Sequence, residues 1–220
     1  MYVALALAFS VGAFLLVDGF MRYQEYQRDL ERYRREVTAA NKSDATDEQR
    51  HQAEGKDESE RTGHDLSSYR VEPTEPRILR IQKLGVEARI LQMSTNRDGS
   101  IQAPVNIYDA GWYVGGAHPG QPGAAIIDGH ASGPTRFGLF AYIDKLQPGD
   151  GVEIERGDGE VLRYNVTGKR EIPLNQIDMS EFMHTEADRE VLHLITCGGD
   201  WLTGQQTFDK RIVVSTERAF

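Results

Sequence analysis

From Pro76 onward the chain rarely shows a helical repeat. Instead it runs as short apolar stretches, each closed by turn residues. Arg77–Ile81, Ala88–Met93, Ala124–Ile127, Gly151–Glu155, Val161–Thr167, Val191–Thr196 and Arg211–Ser215 have strand length. They are separated by Gly-, Pro-, Asn- and Asp-rich segments such as Asn96-Arg97-Asp98-Gly99 and the stretch from Gly115 to Gly123. Many short strands with frequent turn signals predict an all-β barrel or sandwich. Short helices are expected around Phe137–Ile143 and near Met179–Phe182.

The first part of the chain is of another kind. Met1 to Val17 carries no charge, and Asp18 is the first acidic residue. A span needs about 20 residues to cross the hydrocarbon core. Residues 1–21 therefore read as a transmembrane anchor. A cleaved signal peptide is the rival, but the run ends in Val-Asp-Gly-Phe-Met-Arg, a poor cleavage site. Arg22, Arg28, Arg32, Arg34 and Arg35 all follow the span, which under the positive-inside rule places the C-terminal bulk in the cytoplasm. A long domain, or a true start further upstream with its own basic residues, escapes that rule.

Residues 22–40 lack Gly and Pro and are expected to form a juxtamembrane helix. Tyr23, Tyr26, Leu30, Tyr33 and Val37 make a short seam on it, suited to a solvated stalk or a weak dimer contact. Residues 41–75 are mostly mixed charge, Ser, Gly and Thr. They are expected to be a disordered linker, because they bury too little apolar surface to offset ordering entropy. The whole chain is only 39% hydrophobic, in keeping with an unpacked portion. A net charge of −9 leaves no basic footprint for nucleic acid.

Cys197 is the sole cysteine. It closes the apolar run Leu194-Ile195-Thr196-Cys197 and is followed by Gly198-Gly199, so a strand delivers a thiol to its end. An intrachain disulfide is excluded, and a lone thiol is a poor metal site. Buried filler or nucleophile remain. Two other residues share its setting. His130 ends the apolar run Ala124–Gly129, and Arg211 opens Arg-Ile-Val-Val-Ser. A hairpin between the Cys197 and Arg211 strands sets thiol and guanidinium side by side.

The chemistry suits such a trio. A thiol attacks only as thiolate, which a nearby cation favours. A histidine can protonate a leaving amine and deprotonate an incoming one. Arginine always carries charge and offers a fork of donors to an oxyanion. Acyl transfer through a thioester fits all three. Each residue also has a structural reading: a satisfied histidine, an edge arginine, a buried thiol. A membrane-tethered β-barrel binding module with a non-catalytic cysteine is thus the alternative. Papain-like proteases are disfavoured, since they place Cys before His in the chain.

Residues 76–220 resemble the sortases, cysteine transpeptidases of Gram-positive-type cell surfaces. The likeness is carried by Arg77–Val86, Asp98-Gly99-Ser100, Gly111-Trp112-Tyr113, Gly123–His130, Leu194-Ile195-Thr196-Cys197 and Lys210–Val214. The order His, Thr-Cys at a strand end, then Arg opening the next strand is specific to that family. The resemblance implies an eight-stranded sortase β-barrel. It assigns Cys197 as nucleophile, His130 as general acid/base, Arg211 as oxyanion and substrate stabiliser, and Thr196 to the substrate site. It implies cleavage of a Leu-Pro-x-Thr-Gly-like sorting signal of secreted surface proteins between Thr and Gly. The acceptor would be an amine of peptidoglycan precursor or a similar group. No metal or other cofactor is expected. Gly198-Gly199 and Asp128-Gly129-His130 point to class F, with class D or E next, and Glu72-Pro73-Thr74 is no pilin-type lid. The implied placement is a single-pass membrane protein with its catalytic domain outside the cell.

Overall fold

The computed structural model describes residues 57–59, 63–97, 99–133, 136–186, 188–202 and 207–219, together with Met21, Gln24, Arg28, Glu31 and Arg35. These last five are helical. Among them Arg28 Nε donates to Gln24 O at 3.4 Å and Arg35 Nε to Glu31 O at 3.2 Å. The expected span at 1–21 lies, but for Met21, outside the described residues, as do all five seam positions. Among the described residues no helix is long and apolar enough to cross a membrane. The chain divides into two units, Met1–Ala39 and Ala40–Phe220.

Eight strands build the second unit. They are β1 (Pro76–Ile81), β2 (Val86–Met93), β3 (Ala110–Tyr113), β4 (Gly123–Asp128), β5 (Gly151–Arg156), β6 (Val161–Pro173), β7 (Glu190–Leu202) and β8 (Thr207–Arg218). They close into a barrel in the order β1-β2-β3-β4-β7-β8-β6-β5. Of the two folds left open by the strand pattern, the barrel is the one adopted; it leaves no free sheet edge.

Alternation decides which side chains face inward. Along β7, Leu192, Leu194 and Thr196 are at most 1% exposed, and Leu194 is flanked in the ladder by Ile127 of β4 and Val214 of β8. Two buried hydroxyls are satisfied by neighbouring carbonyls: Thr216 Oγ1 donates to Leu192 O at 3.0 Å and Thr196 Oγ1 to Gly129 O at 2.7 Å.

Strands β6 to β8 run well past their apolar stretches, to Pro173, Leu202 and back to Thr207. Lys169, Arg170 and Glu171 stay in the ladder because β8 pairs with them through Val214, Val213 and Ile212. The two expected helices are 3₁₀ turns, shifted to Ile143–Lys145 in the first case and placed at Met179–Phe182 in the second.

The linker expectation for 41–75 needs correction in its described part. Asp57 forms a bridge to Asn106. A short helix α1 spans Gly63–Ser68. Tyr69 Oη donates to Ile90 O at 2.6 Å, and the Arg89 guanidinium lies 5.7 Å from the Tyr69 ring centroid. Arg77 Nη1 donates to Tyr69 O at 3.1 Å. These residues are polar by composition, yet the barrel surface supplies their partners. A count of apolar residues does not register that.

Candidate functional site

Strand direction gathers the three chemical residues at one rim. Strands β4 and β7 are parallel, with Asp128 opposite Ile195. Their C-terminal ends therefore emerge together, carrying His130 just beyond β4 and Cys197 two residues past Ile195. Strand β8 is antiparallel to β7, so its N-terminal part reaches the same end. Cys197 and Arg211 are direct ladder partners. An opposed antiparallel pair shares one face with Cβ atoms about 5 Å apart. On the other side of Arg211 stands Ile172 of β6.

Two bonds tie the His130 turn to β7. Gly129 N donates to Ile195 O at 3.1 Å. The carbonyl of the same glycine accepts the Thr196 hydroxyl. Gly129 is required there, since a Cβ would lie 2.7 Å from Phe140 Cδ2. The His130 ring is 8% exposed, and its Nε2 lies 2.7 Å from Pro104 O. A carbonyl only accepts, so Nε2 carries the hydrogen in the neutral ring and Nδ1 is the nitrogen with a lone pair.

Thr196 is 1% exposed, points into the barrel and donates its hydroxyl to Gly129 O. In this way it ties the end of β7 to the end of β4.

Just past the thiol the ladder is broken by a bulge between Gly198 and Trp201. Gly199 sits at φ 80°, and a Cβ there would fall 2.0 Å from Asp209 Oδ1; a Cβ on Gly198 would fall 2.6 Å from Ile212 Cδ1. The same Asp209 oxygen accepts from Asp200 N at 2.8 Å. Regular pairing thus ends one residue past Cys197, after the Gly198–Lys210 pair, and bulges are common next to functional sites.

Arg211 is half-buried and anchored to its own strand end. Nη1 donates to Phe208 O at 3.2 Å and Lys210 O at 2.9 Å, and Nη2 to Thr207 Oγ1 at 3.1 Å. The guanidinium is held in place before any ligand arrives.

Beside Cys197 and Arg211 the same outer face of the barrel is apolar. Ile126, Ile172, Ile195 and Val213 form one cluster with Phe182, flanked by Ile101, Tyr113, Ile177, Met179 and Met183. Ile177, Met179, Phe182 and Met183 thereby pack over this face. His193 is enclosed with it, its ring 5.3 Å from Phe182 and its Nδ1 3.0 Å from Ser215 Oγ. Burial lowers the His193 pKa to about 4, so the ring is neutral at pH 7.

None of these outer-face residues was singled out from sequence, although a signal existed. Strand β7 reads Val-Leu-His-Leu-Ile-Thr-Cys, apolar at both parities, which marks a strand covered on both faces. Pro104, by contrast, carries no sequence signal, because its carbonyl does the work.

A separate cleft of about 570 Å³ lies over the outer face of β2, lined by Arg89, Met93, Gln102 and Asn106 among others. It is floored by the bidentate Arg89–Asp109 ion pair, with both N–O distances at 2.8 Å. Among the described residues there is no group of His, Cys, Asp and Glu able to hold a metal ion.

The sortase domain family matches residues 79–219. The chain belongs to the sortase family, whose members are cysteine transpeptidases. No curated relative matches the chain. Among solved structures, sortase A from Corynebacterium diphtheriae is 18% identical with a TM-score of 0.51, covering 89% of this chain and 84% of that one. The SrtA sortase from Actinomyces oris is 21% identical at a TM-score of 0.50, covering 69% and 89%. A Clostridium perfringens sortase D5 transpeptidase is 22% identical at 0.50, covering 66% and 79%. At these identities the likeness concerns the fold.

Proposed function

We propose that this sortase cleaves a Leu-Pro-x-Thr-Gly-like sorting signal between Thr and Gly, and transfers the acyl group to a cell-wall amine. The carrying observation is the Cys197–Arg211 ladder pair, with His130 held beside it through Gly129 and Thr196. In this reading Cys197 Sγ, as thiolate, adds to the Thr carbonyl carbon. The carbonyl π pair moves onto oxygen, where the Arg211 guanidinium stabilises it. Three of its five N–H bonds are used by Phe208, Lys210 and Thr207, so Nε–H and one Nη2–H serve the oxyanion. Collapse breaks the C–N bond, and protonated His130 gives its Nδ1 proton to the departing Gly amine. The incoming amine then attacks the thioester carbonyl, loses a proton to His130, and returns the thiolate. Water in place of the amine yields hydrolysis as a side reaction.

Ile101, Tyr113, Ile177, Met179 and Met183, the partly exposed apolar residues bordering the buried Ile126–Ile195–Val213 cluster, suit the Leu-Pro part of such a peptide. We further read the enzyme as class F, with class D or E as alternatives, on Gly198-Gly199 and Asp128-Gly129-His130. The uncharged N-terminal run supports a single membrane anchor with the barrel outside the cell, on a Gram-positive-type surface.

The test incubates the protein with Leu-Pro-x-Thr-Gly and Leu-Ala-x-Thr-Gly peptides and an amine, and identifies products by mass. An acyl adduct on Cys197 and an amine-capped peptide are expected. Neither product with either peptide would sink the sorting-signal reading.

A further inference from the structure

Residues Asp57–Ser59 cross the barrel surface as a strap joining two loops that flank His130. Asp57 N donates to Val105 O at 2.9 Å, and Asp57 O accepts from Ile107 N at 3.0 Å. Between those contacts Asn106, only 2% exposed, donates from Nδ2 to Ser59 O at 2.7 Å and to Ser59 Oγ at 3.3 Å. Its Oδ1 accepts from Tyr108 N at 2.9 Å, which holds the amide in that orientation. The strap therefore clamps the segment 104–107, whose first carbonyl is the hydrogen-bond acceptor of the His130 ring.

The middle residue of the strap reaches the other loop. Glu58 Oε1 accepts from Arg136 N at 3.1 Å. A Cβ on Gly133 would lie 2.3 Å from the same oxygen, so the carboxylate is seated tightly in this turn. The turn belongs to the loop that directly follows His130 and folds back on it. Gly138 N donates to Ala131 O at 2.9 Å, and Phe140 N to His130 O at 2.9 Å. Leu139 N donates to Ile107 O at 2.8 Å, which joins the two loops on the barrel side. His130 is thus enclosed in a hydrogen-bonded ring, and the strap is its outer member.

Ordering a strap costs about 1–2 kcal/mol per residue in backbone entropy. Its three residues are polar and add nothing to the apolar core, so its contacts act mainly on loop position. We propose that Glu58 and Asn106 are positioning residues for His130: through the two loops they set the place of the Pro104 carbonyl and hence the aim of the imidazole at the Cys197 rim. The inference rests on the assignment of His130 as acid/base in the proposed reaction. The strap's hydrogen bonds run to the segment 105–107 and to Arg136, so its loss acts on turnover rather than on peptide binding.

The test uses the full chain with Glu58→Ala, Glu58→Gln and Gly133→Ala. Turnover of a Leu-Pro-x-Thr-Gly peptide with an amine is measured as separate kcat and KM. The His130 ring signal is followed by NMR and assigned by its disappearance in His130→Asn. Small misplacements of a catalytic group reduce rates steeply. Glu58→Ala is expected to lower kcat about tenfold with KM within about twofold of wild type, and to shift the ring signal. Glu58→Gln keeps an acceptor oxygen for Arg136 N and restores both. Gly133→Ala expels the carboxylate and behaves like Glu58→Ala, so it serves if that variant does not fold. Wild-type kcat and ring signal in the folded alanine variants would overturn the proposal, whatever their melting temperatures. So would a glutamine variant no better than alanine. If the wild type turns over no peptide, the sorting-signal reading fails, and the ring signal alone still decides the strap's role.

Discussion

Cys197 and Arg211 face each other as direct partners on adjacent antiparallel strands, and the ladder breaks one pair further on, after Gly198 and Lys210. Thiol and guanidinium therefore share one face of the barrel, while the fork is steadied by Thr207, Phe208 and Lys210. Replacing Arg211 by Lys keeps a charge and removes the fork. Its kcat/KM is expected to fall by about 10²-fold, the usual loss for one oxyanion donor. Steady-state kinetics on the peptide substrate checks this, and wild-type turnover would show that charge alone suffices.

Gly199 lies in the bulge just beyond the Cys197–Arg211 pair, at φ 80°. Gly199→Ala places a β-carbon at φ 80° and within 2.0 Å of Asp209 Oδ1. The strained conformation costs about 1–3 kcal/mol. The expected result is a lowered urea midpoint together with slower alkylation of Cys197 by iodoacetamide in the native state. An unchanged alkylation rate would mean that the bulge does not orient Cys197.

His193 gives the barrel an acid-sensitive element. Its folded pKa is about 4 against 6.5 for an unperturbed imidazole, because burial disfavours the charged ring. A depressed pKa means that the unfolded chain binds the proton first. The stability is intact above pH 6.5 and is lost as pH falls from there to about 4, by about 3 kcal/mol in total. His193→Leu removes this titration. Urea unfolding across that pH range should show a steeper loss in the wild type than in the variant; parallel curves would contradict it.

Phe182 closes the outer face over Ile126, Ile195, Val213 and the His193 ring. Phe182→Ala should destabilise the barrel by about 3 kcal/mol, in line with other buried Phe truncations. It also opens His193 to solvent, so the acid window described above should narrow. Ile177, Met179 and Met183, which border the proposed peptide surface, would lose packing against the cluster, and KM should rise more than kcat falls. A rise in kcat with KM unchanged would place the peptide elsewhere.

The strand pattern was legible because short apolar runs and turns are local. Val191 to Thr196 announce a strand, and the residues from Gly115 to Gly123 announce a break. The extensions of β6 and β8 were hidden, since Lys169 to Glu171 and Thr207, Asp209 and Lys210 are polar and enter the ladder only through a partner strand. The strap was hidden for the same reason: Asp57, Glu58 and Ser59 read as solvated until Asn106 and Arg136 supply their hydrogen bonds.

By itself the sequence determined the residue types of the site and their order, His130, Cys197 and Arg211, each at the end of an apolar run. It determined the all-β character too, because short apolar runs and the turns that close them act over a few residues. Tertiary structure decided that β4 and β7 run parallel and so emerge at one rim. It also decided that Thr196 turns inward to bind Gly129, and that a backbone carbonyl at Pro104 engages His130. These depend on strands and loops far apart in the chain, and the groups that join them are largely backbone N–H and C=O. Every residue carries those groups, so no side-chain pattern announces which of them will meet.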